Sequence, residues 1–326
     1  MRLLVTGGAG FIGSNFLRMI AKLELSGFTK ITVVDKLTYA GVLENLDFTS
    51  TISDYEFVKS DICDEVIISE LVNECDAVIN FAAESHVDRS ILGSTNFINS
   101  NIVGVQVLLE AVKNSNKKIR FLQVSTDEVY GSIKIGAWDE ECCVKPNSPY
   151  SASKASGDLL VRAYGVTHNL DVLITRSSNN YGTHQFPEKL IPLFITNIIE
   201  GKKVPLYGNG HNVRDWLHVT DHCHGIYAAL MNGKSREIYN IGGGRELTNL
   251  EITTIILKEM ELDKSFIEYV SDRKGHDFRY SVNWLKINRE LGYEPKINFE
   301  DGLRDVIRWY RENESWWRPL KIRKFE

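Results

Sequence analysis

The sequence predicts an α/β fold in which a doubly wound, mainly parallel sheet is followed by a smaller C-terminal lobe. Short apolar runs alternate with longer segments of helical periodicity over the first 180 residues, a pattern typical of parallel strands joined by helices. A glycine-rich turn follows the first apolar run. After residue 180, prolines and glycine-containing turns separate shorter elements. We therefore predict a sheet domain over 1–180 and, over 181–326, mainly a substrate-binding lobe that returns some segments to the main sheet.

The first predicted strand runs into the glycine-rich sequence GGAGFIG, which opens a helix predicted to reach about residue 25. Its glycines Gly7, Gly10 and Gly13 have the spacing that lets a backbone approach a pyrophosphate at a helix N-terminus. The next strand ends in Asp35, whose carboxylate can accept hydrogen bonds from an adenosine ribose and would repel a 2′-phosphate. These features predict a Rossmann-type βαβ unit that binds NAD rather than NADP.

Six strands and two long helical segments are predicted in the sheet domain. The strands lie at 2–6, 31–34, 57–59, 77–81, 119–124 and 171–175. One helical segment contains Ile98, Ile102, Val105, Leu108, Leu109 and Val112, and the other contains Leu159, Leu160, Val161 and Tyr164. This is much apolar surface for helices that flank a sheet, so we predict a homodimer formed through these two helices of each subunit. The alternative is that both faces are covered within the monomer.

Composition limits the kinds of partner. The 326 residues carry a formal net charge of −5, and no long basic stripe is present, so nucleic acid is not an expected partner. No apolar run approaches the ~20 residues needed to cross a bilayer, so no membrane association is expected. The five cysteines lack Cys-x-x-Cys spacing. This usage fits reduced thiols, and we predict a cytoplasmic protein.

The chemistry is expected between Ser125 and Lys154, a stretch that begins at the end of a predicted strand, where open α/β sheets bind ligands. Tyr150 and Lys154 are four residues apart in a helix predicted to open just after Pro149, so their side chains share one face. A phenol with an ordinary pKa of ~10 is a weak base at neutral pH, but a neighbouring ammonium and a positively charged nicotinamide both favour the phenolate. With Thr126 upstream, the pair resembles the hydroxyl, tyrosine and lysine set of the short-chain dehydrogenase/reductase superfamily.

Two adjacent carboxylates, Asp127 and Glu128, directly follow Thr126. A plain alcohol dehydrogenase or a sugar epimerase needs only the hydroxyl, the tyrosine and the lysine. Two further carboxylates suggest a second reaction that needs both an acid and a base, with one carboxyl group protonated and the other ionised. The alternative is a solvated acidic turn after a strand.

The C-terminal lobe contains side chains suited to an anionic diphosphate: Arg214, Asn240, Arg273, His276 and Arg279. For any single arginine, a surface salt bridge is the alternative.

Three histidines and a cysteine, His218, His222, Cys223 and His224, superficially resemble metal ligands. Only His218 and His222 have helical spacing, and no second cluster of ligands accompanies them, so we predict no metal.

Taken together, these motifs resemble the dTDP-glucose 4,6-dehydratases, NAD-dependent nucleotide-sugar enzymes of the extended short-chain dehydrogenase/reductase group. The resemblance runs nearly from end to end. It covers 7–13, 35–41, 82–90, 125–131, 146–154, 178–182, 187–192, 214–216, 239–243 and 272–277. Its most specific part is Thr126-Asp127-Glu128, since related epimerases and decarboxylases usually have other residues at one or both carboxylate positions.

The resemblance implies roles for the five catalytic residues. Tyr150 would be the base on the sugar 4-hydroxyl, assisted by Lys154 and Thr126, while hydride passes from C4 to NAD. Glu128 would then remove the C5 proton, Asp127 would protonate the departing C6 hydroxyl, and the hydride would return to C6. The implied product is dTDP-4-keto-6-deoxyglucose, and NAD would stay bound through the cycle.

The resemblance also implies two sets of binding residues. NAD would be held by the glycine turn (Gly7, Gly10, Phe11, Ile12, Gly13) and by Asp35, Lys36, Thr38, Asp61, Ile62, Ala82, Ala83, Ser100, Tyr150, Lys154 and Asn180. The nucleotide sugar would be held by Ser85, Thr126, Asn179, Lys189, Leu190, Pro205, Leu206, Tyr207, Arg214, Asn240, Arg273 and His276. The chain departs from the family pattern at Thr183-His184 and at Lys274. These departures leave the choice between dTDP and UDP open.

Three alternatives remain at this level. One keeps the reaction and changes the substrate to UDP-glucose or another nucleotide hexose. A second is a nucleotide-sugar 4-epimerase or decarboxylase, for which Asp127 and Glu128 would have no task. A third is a non-catalytic protein that binds NAD or a nucleotide sugar, which predicts binding without turnover.

Overall fold

The computed structural model describes residues 1–323. Its strands are β1 (Arg2–Thr6), β2 (Lys30–Asp35), β3 (Tyr55–Lys59), β4 (Ala77–Asn80), β5 (Arg120–Thr126), β6 (Asp171–Ser177), β7 (Asn179–Tyr181), β8 (Val204–Tyr207), β9 (Val213–His218), β10 (Ile238–Ile241), β11 (Glu246–Thr248) and β12 (Ile267–Val270). Its α-helices are α1 (Phe11–Ala21), α2 (Glu65–Glu74), α3 (Val87–Leu92), α4 (Thr95–Ile98), α5 (Gly104–Asn114), α6 (Pro149–Thr167), α7 (Leu190–Ile199), α8 (Val219–Asn232), α9 (Asn249–Glu259), α10 (Leu285–Leu291), α11 (Phe299–Glu312) and α12 (Glu314–Arg323). Short 3₁₀ segments cover Leu43–Thr51, Asp127–Tyr130 and Lys264–Phe266, and a π-helical turn, Asn99–Val103, joins α4 to α5.

Within residues 1–323, the main sheet has seven strands in the order β10-β6-β5-β4-β1-β2-β3, and every neighbouring pair is parallel. The predicted Rossmann-type fold is therefore confirmed. The strand order reverses between β1 and β4, so this is the switch point, at whose carboxyl edge open α/β sheets bind ligands. Strand β10 comes from the second half of the chain and pairs with β6.

Most predicted boundaries differ from the structure by one or two residues, and two differences bear on the site and the core. Strand β5 continues past residue 124, so Thr126 is its last residue. Helix α1 ends at Ala21 rather than near residue 25. Leu23 adopts a positive φ of 60°, and the following turn returns the Leu25 backbone N–H to the carbonyl of Met19. The turn places Leu25 in the core, where it is 1% exposed, so tertiary burial ends the helix early.

The second half of the chain surrounds a core of its own. Helices α7, α9, α11 and α12 enclose buried side chains that include Phe194, Ile256, Leu303 and Trp317. Two smaller sheets, β11-β9-β7 and β12-β8, cover this core on the side of the main sheet. Helix α8 instead packs with α1 beneath the main sheet, where Ile226 and Leu17 share one apolar cluster. The second lobe is therefore joined to the main sheet by both β10 and α8.

The two helical segments with much apolar sequence are largely covered within the chain. Val105, Leu108, Leu109, Val112 and Val161 are buried in the core between α5, α6 and the sheet. Ile98 and Leu159 are about half exposed, at 46% and 55%. Val103 and Val166 add exposed apolar surface on the same two segments. The apolar surface left to a partner is thus smaller than the sequence alone suggests.

None of the helices within residues 1–323 has both the length and the apolar character needed to span a membrane.

Candidate active site

Two cavities meet at the carboxyl edge of the sheet. The first lies at the switch point between β1 and β4, and the predicted cofactor residues on its wall are Gly7, Gly10, Phe11, Ile12, Gly13, Asp35, Lys36, Thr38, Asp61, Ile62, Ala82, Ala83, Ser100, Tyr150 and Lys154. The second lies between the sheet edge and the second lobe, and the predicted substrate residues on its wall are Ser85, Asn179, Lys189, Leu190, Pro205, Leu206, Tyr207, Arg214, Arg273 and His276. Ser85, Gln185, Glu188 and Lys189 border both cavities. A ligand in the first cavity would therefore contact a ligand in the second.

The glycine turn of the first cavity has no room for side chains. Gly7 has a φ of +68°, and a Cβ added to it would lie 2.5 Å from the backbone nitrogen of Ala82. A Cβ on Gly13 would lie 2.5 Å from the carbonyl oxygen of Gly7. The turn at the start of α1 thus offers bare backbone to the cavity, which is the surface that a dinucleotide pyrophosphate requires.

The acidic residue at the end of β2 is fixed by backbone donors. Its carboxylate, on Asp35, accepts hydrogen bonds from the N–H groups of Ala9 at 3.0 Å and Leu37 at 2.8 Å. Burial raises the pKa of Asp35, and these two donors oppose the rise. The neighbouring Lys36 donates to Asp61 at 3.2 Å, so its charge is paired within the chain. The residues present therefore fit NAD, with Asp35 at the ribose end.

Tyr150 and Lys154 lie in the first turns of α6. Ser148 caps this helix by accepting a hydrogen bond from the N–H of Ser151, and Pro149 occupies the first helical position. Both reactive side chains are buried, at 8% and 4% exposure. The ammonium of Lys154 donates to the carbonyl of Val124 at 2.7 Å. Burial lowers the pKa of Lys154 to about 8, so near neutral pH the side chain keeps its proton but is close to losing it.

The protonation of Tyr150 is controlled by its neighbours. Burial raises the pKa of Tyr150, the negative charge of Glu128 raises it further, and the hydroxyl of Thr126 lowers it. Among the protein groups, Thr126 therefore lowers the pKa of Tyr150, whereas the Lys154 ammonium, expected from the sequence to do so, is directed at the Val124 carbonyl. The expected effect of the nicotinamide stays a prediction.

The two adjacent carboxylates have different environments. Asp127 is 2% exposed, and burial together with the charges of Glu128 and Asp215 raises its pKa well above the ordinary value. Its Oδ2 is buried without a hydrogen-bond partner. Glu128 lies on the wall of the second cavity and accepts a hydrogen bond from the Ser151 hydroxyl at 3.0 Å. The pair thus combines a carboxyl group that retains its proton with a carboxylate that faces the cavity.

Two cationic groups of the second cavity could hold an anion. Arg214 lies over the ring of Tyr280 at 4.4 Å, and its guanidinium also donates to the carbonyl of Asp277 at 2.9 Å. The Nε of Arg273 is buried without a hydrogen-bond partner. An unpaired buried guanidinium donor is costly in isolation, so this position fits a phosphate or sugar oxygen of a ligand.

His276 is a neutral donor at the same wall. Burial and the charge of Arg273 lower its pKa to about 4, while its Nδ1 donates to Asp272 at 2.6 Å.

Four predicted binding residues are not where the sequence predicts them. Asn240 is fully buried outside both cavities, where its amide donates to the carbonyls of Trp138 and Asn283 and accepts from the Tyr130 hydroxyl. Its polar atoms are used to hold the 138–140 loop against β10, so we correct its assignment as a substrate residue.

Asn180, expected at NAD, lies on the second cavity, held by Ser177 and His222. Thr126 borders neither cavity, and its hydroxyl donates to the Oδ1 of Asp127 at 3.2 Å. Arg279, proposed as a diphosphate ligand, instead pairs with Glu246 away from both cavities.

The histidines near the start of α8 have other partners. His218 caps the helix by accepting a hydrogen bond from the N–H of Thr220, and His222 donates from Nδ1 to Asn180 at 2.9 Å. In the part of the chain that the structure describes, no group of three or more His, Cys, Asp or Glu side chains is arranged to hold a metal ion.

A buried cluster between the two cavities was missed by the sequence analysis. Glu188 accepts a hydrogen bond from the Tyr39 hydroxyl at 2.9 Å and pairs with the Nε of Arg89 at 3.3 Å. The guanidinium of Arg89 in turn lies over the Tyr39 ring at 3.8 Å. The three residues belong to separate stretches of the family resemblance, but only their long-range contact indicates that they act together.

Comparison with known proteins places these features in a family. The protein-family model described as GDP-mannose 4,6 dehydratase matches residues 4–306. A curated dTDP-glucose 4,6-dehydratase from Streptomyces niveus is 53% identical over 323 residues, which is 98% of this chain and 96% of that protein. The crystal structure of DesIV, a dTDP-glucose 4,6-dehydratase from Streptomyces venezuelae with NAD and dTDP bound, matches with a TM-score of 0.96 at 52% identity over 98% of this chain and 100% of that one.

A crystal structure of dTDP-glucose 4,6-dehydratase from Bacillus anthracis in complex with NAD matches with a TM-score of 0.90 at 48% identity, over 98% of this chain and 99% of that one. These similarities confirm the resemblance recognised in the sequence.

Proposed function

The chain belongs to the GDP-mannose 4,6 dehydratase family, and from this premise we propose that it is a dTDP-glucose 4,6-dehydratase, an NAD-dependent lyase. It converts dTDP-glucose to dTDP-4-keto-6-deoxyglucose and water. The observation that carries the proposal is the pairing of buried Asp127 with cavity-facing Glu128 beside Tyr150, where the two cavities meet. An elimination of water needs both an acid and a base in addition to the oxidation machinery.

When bound, NAD would supply the redox chemistry of the reaction, with the hydride of C4 taken up and later returned to C6. The chain's part is to hold the cofactor against the substrate. Gly7, Gly10 and Gly13 leave the backbone of the first cavity open to the pyrophosphate, and Asp35 receives the ribose. Because NAD is regenerated in each cycle, it can stay bound between turnovers.

The protein residues move the protons. Tyr150, in its phenolate form, takes the proton of the 4-hydroxyl and becomes a neutral phenol, and the Thr126 hydroxyl favours the phenolate that starts the step. The ketone formed at C4 acidifies the C5 proton, and Glu128, on the wall of the second cavity, removes it. After hydride return to C6, Glu128 gives a proton back to C5. Asp127, kept protonated by its burial, gives its proton to the departing C6 hydroxyl, so that water leaves. We assign the substrate-facing positions of the second cavity wall to the nucleotide sugar, with Arg214 and Arg273 at the diphosphate.

The proposal is tested by incubating the purified protein with dTDP-glucose and, separately, with UDP-glucose. We expect mass spectrometry to detect the loss of one water from dTDP-glucose and alkaline absorbance to detect the 4-keto-6-deoxy product. Preference for UDP-glucose would keep the reaction and change the nucleotide. Bound NAD with no loss of water from either sugar would contradict the assigned activity.

The two carboxylates distinguish a dehydratase from an epimerase. We predict that Asp127→Asn combined with Glu128→Gln lowers the rate of water loss by about 10³-fold or more, because both proton-transfer groups of the elimination are removed. An epimerase would be nearly unaffected by this change. Asp305→Asn, an exposed aspartate on α11, is the control and should leave the rate unchanged.

The assembly is a homodimer formed through the exposed apolar positions Ile98, Val103, Leu159 and Val166. We predict that Leu159→Glu weakens dimerisation by at least about tenfold, because a charge would be buried at the contact. Light scattering during size-exclusion chromatography measures the mass. Leu285→Glu changes another exposed leucine on a different helix and should keep the dimer. A wild-type monomer, or a dimer equally stable in both variants, would exclude this interface.

The proposal also includes a division of the chain into two domains and a cellular location. Residues 1–180 form the NAD-binding part and 181–326 mainly the nucleotide-sugar lobe, with β10 and α8 returned to the main sheet. The five cysteines are free thiols in the described structure, which supports a location in the reducing cytoplasm.

A further inference from the structure

The last helix of the described chain is connected to the glycine turn by two consecutive hydrogen bonds. The indole Nε1 of Trp316, in α12, donates to the side-chain Oδ1 of Asn45 at 3.0 Å. The Nδ2 of the same Asn45 donates to the carbonyl of Ala9 at 3.0 Å. Asn45 is 1% exposed and Ala9 is fully buried, so the bond between them is shielded from competing water, and the bond from Trp316 is partly buried. The Asn45 side chain thus connects helix α12 to Ala9 in the glycine turn.

Ala9 is the residue at which this connection reaches the first cavity. It lies between Gly7 and Gly10, and its N–H donates to the Asp35 carboxylate at 3.0 Å. Its carbonyl also accepts a bond from the N–H of Val42 at 3.1 Å. Asn45 therefore stabilises the position of Ala9, which also bonds to the Asp35 carboxylate and to Val42 in the loop after β2.

The loop after β2, residues 36–42, is one wall of the first cavity. Lys36, Thr38, Ala40 and Gly41 face the cavity. The other side of the loop packs against the second lobe, in an apolar cluster that contains Tyr39, Val42, Phe186, Trp316 and Leu320. Helix α12 supplies the last two of these side chains. It covers the outer face of the loop whose inner face borders the cavity.

We propose that Trp316 and Asn45 are positioning residues that slow the release of NAD, by fixing the glycine turn and the 36–42 loop against the C-terminal helix. The inference rests on the proposed use of NAD. Neither residue lines the cavity, so neither contacts the cofactor. They act by keeping the glycine turn and the 36–42 loop in the positions that bind NAD. A dehydratase that regenerates its cofactor in each cycle gains from slow NAD release, because every loss interrupts the cycle.

The test compares NAD release from wild type, Trp316→Phe and Trp309→Phe. Trp316→Phe keeps an aromatic ring and removes only the Nε1 donor. Trp309 packs against the rings of His184 and Trp316. Its replacement therefore alters the aromatic contacts around Trp316 and leaves the hydrogen bond from Trp316 to Asn45 in place. The NAD-loaded proteins are diluted into buffer that contains an enzyme which consumes free NAD, and the bound fraction is followed with time.

We expect Trp316→Phe to release NAD about fivefold faster than wild type, the effect of losing one net hydrogen bond of ~1 kcal/mol. Trp309→Phe should release NAD at the wild-type rate. At saturating NAD, the turnover number of Trp316→Phe should equal that of wild type, since the reacting groups are unchanged. Equal release from Trp316→Phe and wild type, or equal acceleration in both tryptophan variants, would overturn the proposal.

A second variant tests whether Trp316 acts through Asn45. Asn45→Ala removes both hydrogen bonds, and we expect it to release NAD faster than Trp316→Phe. The double variant Asn45→Ala/Trp316→Phe should release NAD no faster than Asn45→Ala alone, because the tryptophan has lost its acceptor. Additive accelerations would overturn the connection through Asn45.

These measurements follow NAD and not water loss. A wild-type protein that binds NAD without dehydrating any sugar would contradict the proposed function and leave this inference open to the same test. A wild-type protein that dehydrates dTDP-glucose with unchanged NAD release in the variants would contradict only the inference.

Discussion

Asp127 and Glu128 differ in chemistry because their surroundings differ. The first points into the protein beside Asp215, where its charged form is disfavoured by burial and by like charge. The second borders an open cavity and is hydrogen bonded by Ser151. Two carboxyl groups on neighbouring residues can thus serve as acid and base because of the difference in their surroundings alone. The local 3₁₀ turn after Thr126 creates this division by directing the two side chains apart.

Thr126 gives a prediction about pH dependence. Its hydroxyl lowers the pKa of Tyr150, so removing it in Thr126→Val should raise that pKa. The phenolate then forms only at higher pH, and the rising, low-pH limb of the rate profile should shift upward by about one pH unit, equivalent to ~1.4 kcal/mol. The rate of C4 oxidation in a single turnover, measured across pH by NADH absorbance, checks this.

Thr126→Ser is the matched control because it restores a hydroxyl at the same position and should recover the wild-type profile. A Thr126→Val profile that is lower at every pH but not displaced would show that the hydroxyl does not act on the base.

At the scale of elements, the strand ends and helix starts position the site. Strand β5 ends at Thr126, which therefore lies at the carboxyl edge of the sheet. Helix α6 begins at Pro149, so Tyr150 and Lys154 lie in its first turns. The carbonyl of Val124 in β5 then accepts from the Lys154 ammonium, which ties the helix to the strand. The catalytic spacing is therefore fixed by two regular elements rather than by a loop.

The turn between β1 and α1 gives a second prediction. Gly7→Ala should abolish stable NAD binding, because its Cβ would meet the backbone of Ala82 at 2.5 Å. The positive φ of 68° adds roughly 1 kcal/mol or more of strain for alanine. The NAD content of the purified variant and its Tm check this, and we expect both to fall.

Gly93→Ala provides the comparison, because a Cβ at Gly93 would meet nothing within 4 Å. It should keep both the NAD content and the Tm of wild type. Retention of NAD by Gly7→Ala would mean that the turn can move away from Ala82 without loss of the site.

At the scale of the whole molecule, the two lobes are held together by buried groups that include His222. This side chain, on α8, is fully buried, and burial lowers its pKa to about 3. Since the folded pKa lies below the unfolded value of ~6.5, the contribution of neutral His222 is fully present above pH 6.5 and is lost as the pH falls toward 3.

We predict that the free energy of unfolding of wild type falls relative to that of His222→Gln by about 2 kcal/mol between pH 7 and pH 5. Glutamine keeps polar atoms near Asn180 but cannot be protonated. Urea denaturation at the two pH values measures the difference. His224→Gln, an exposed position on the same helix, should follow the wild-type dependence. If the difference in free energy of unfolding between wild type and His222→Gln is the same at pH 7 and pH 5, protonation of His222 does not cause the loss of stability.

Features that depend on near neighbours along the chain could be predicted from the amino-acid sequence. Alternating apolar runs and helical periods specified the parallel sheet, because they report which faces of each element are buried. The glycine turn, Asp35 and the Tyr150–Lys154 pair could be found in the same way, since each lies within one strand, turn or helix. Thr126, on a separate strand, was found through the family resemblance.

Tertiary structure alone decided the features that depend on distant residues. It buried Asn240 away from the cavities, joined Glu188 to Arg89 and Tyr39, and connected Trp316 to Asn45. It also ended α1 early by burying Leu25. The physical reason is that spacing along the chain fixes which side chains share a face, whereas the partner that each face meets depends on how separate elements and lobes pack.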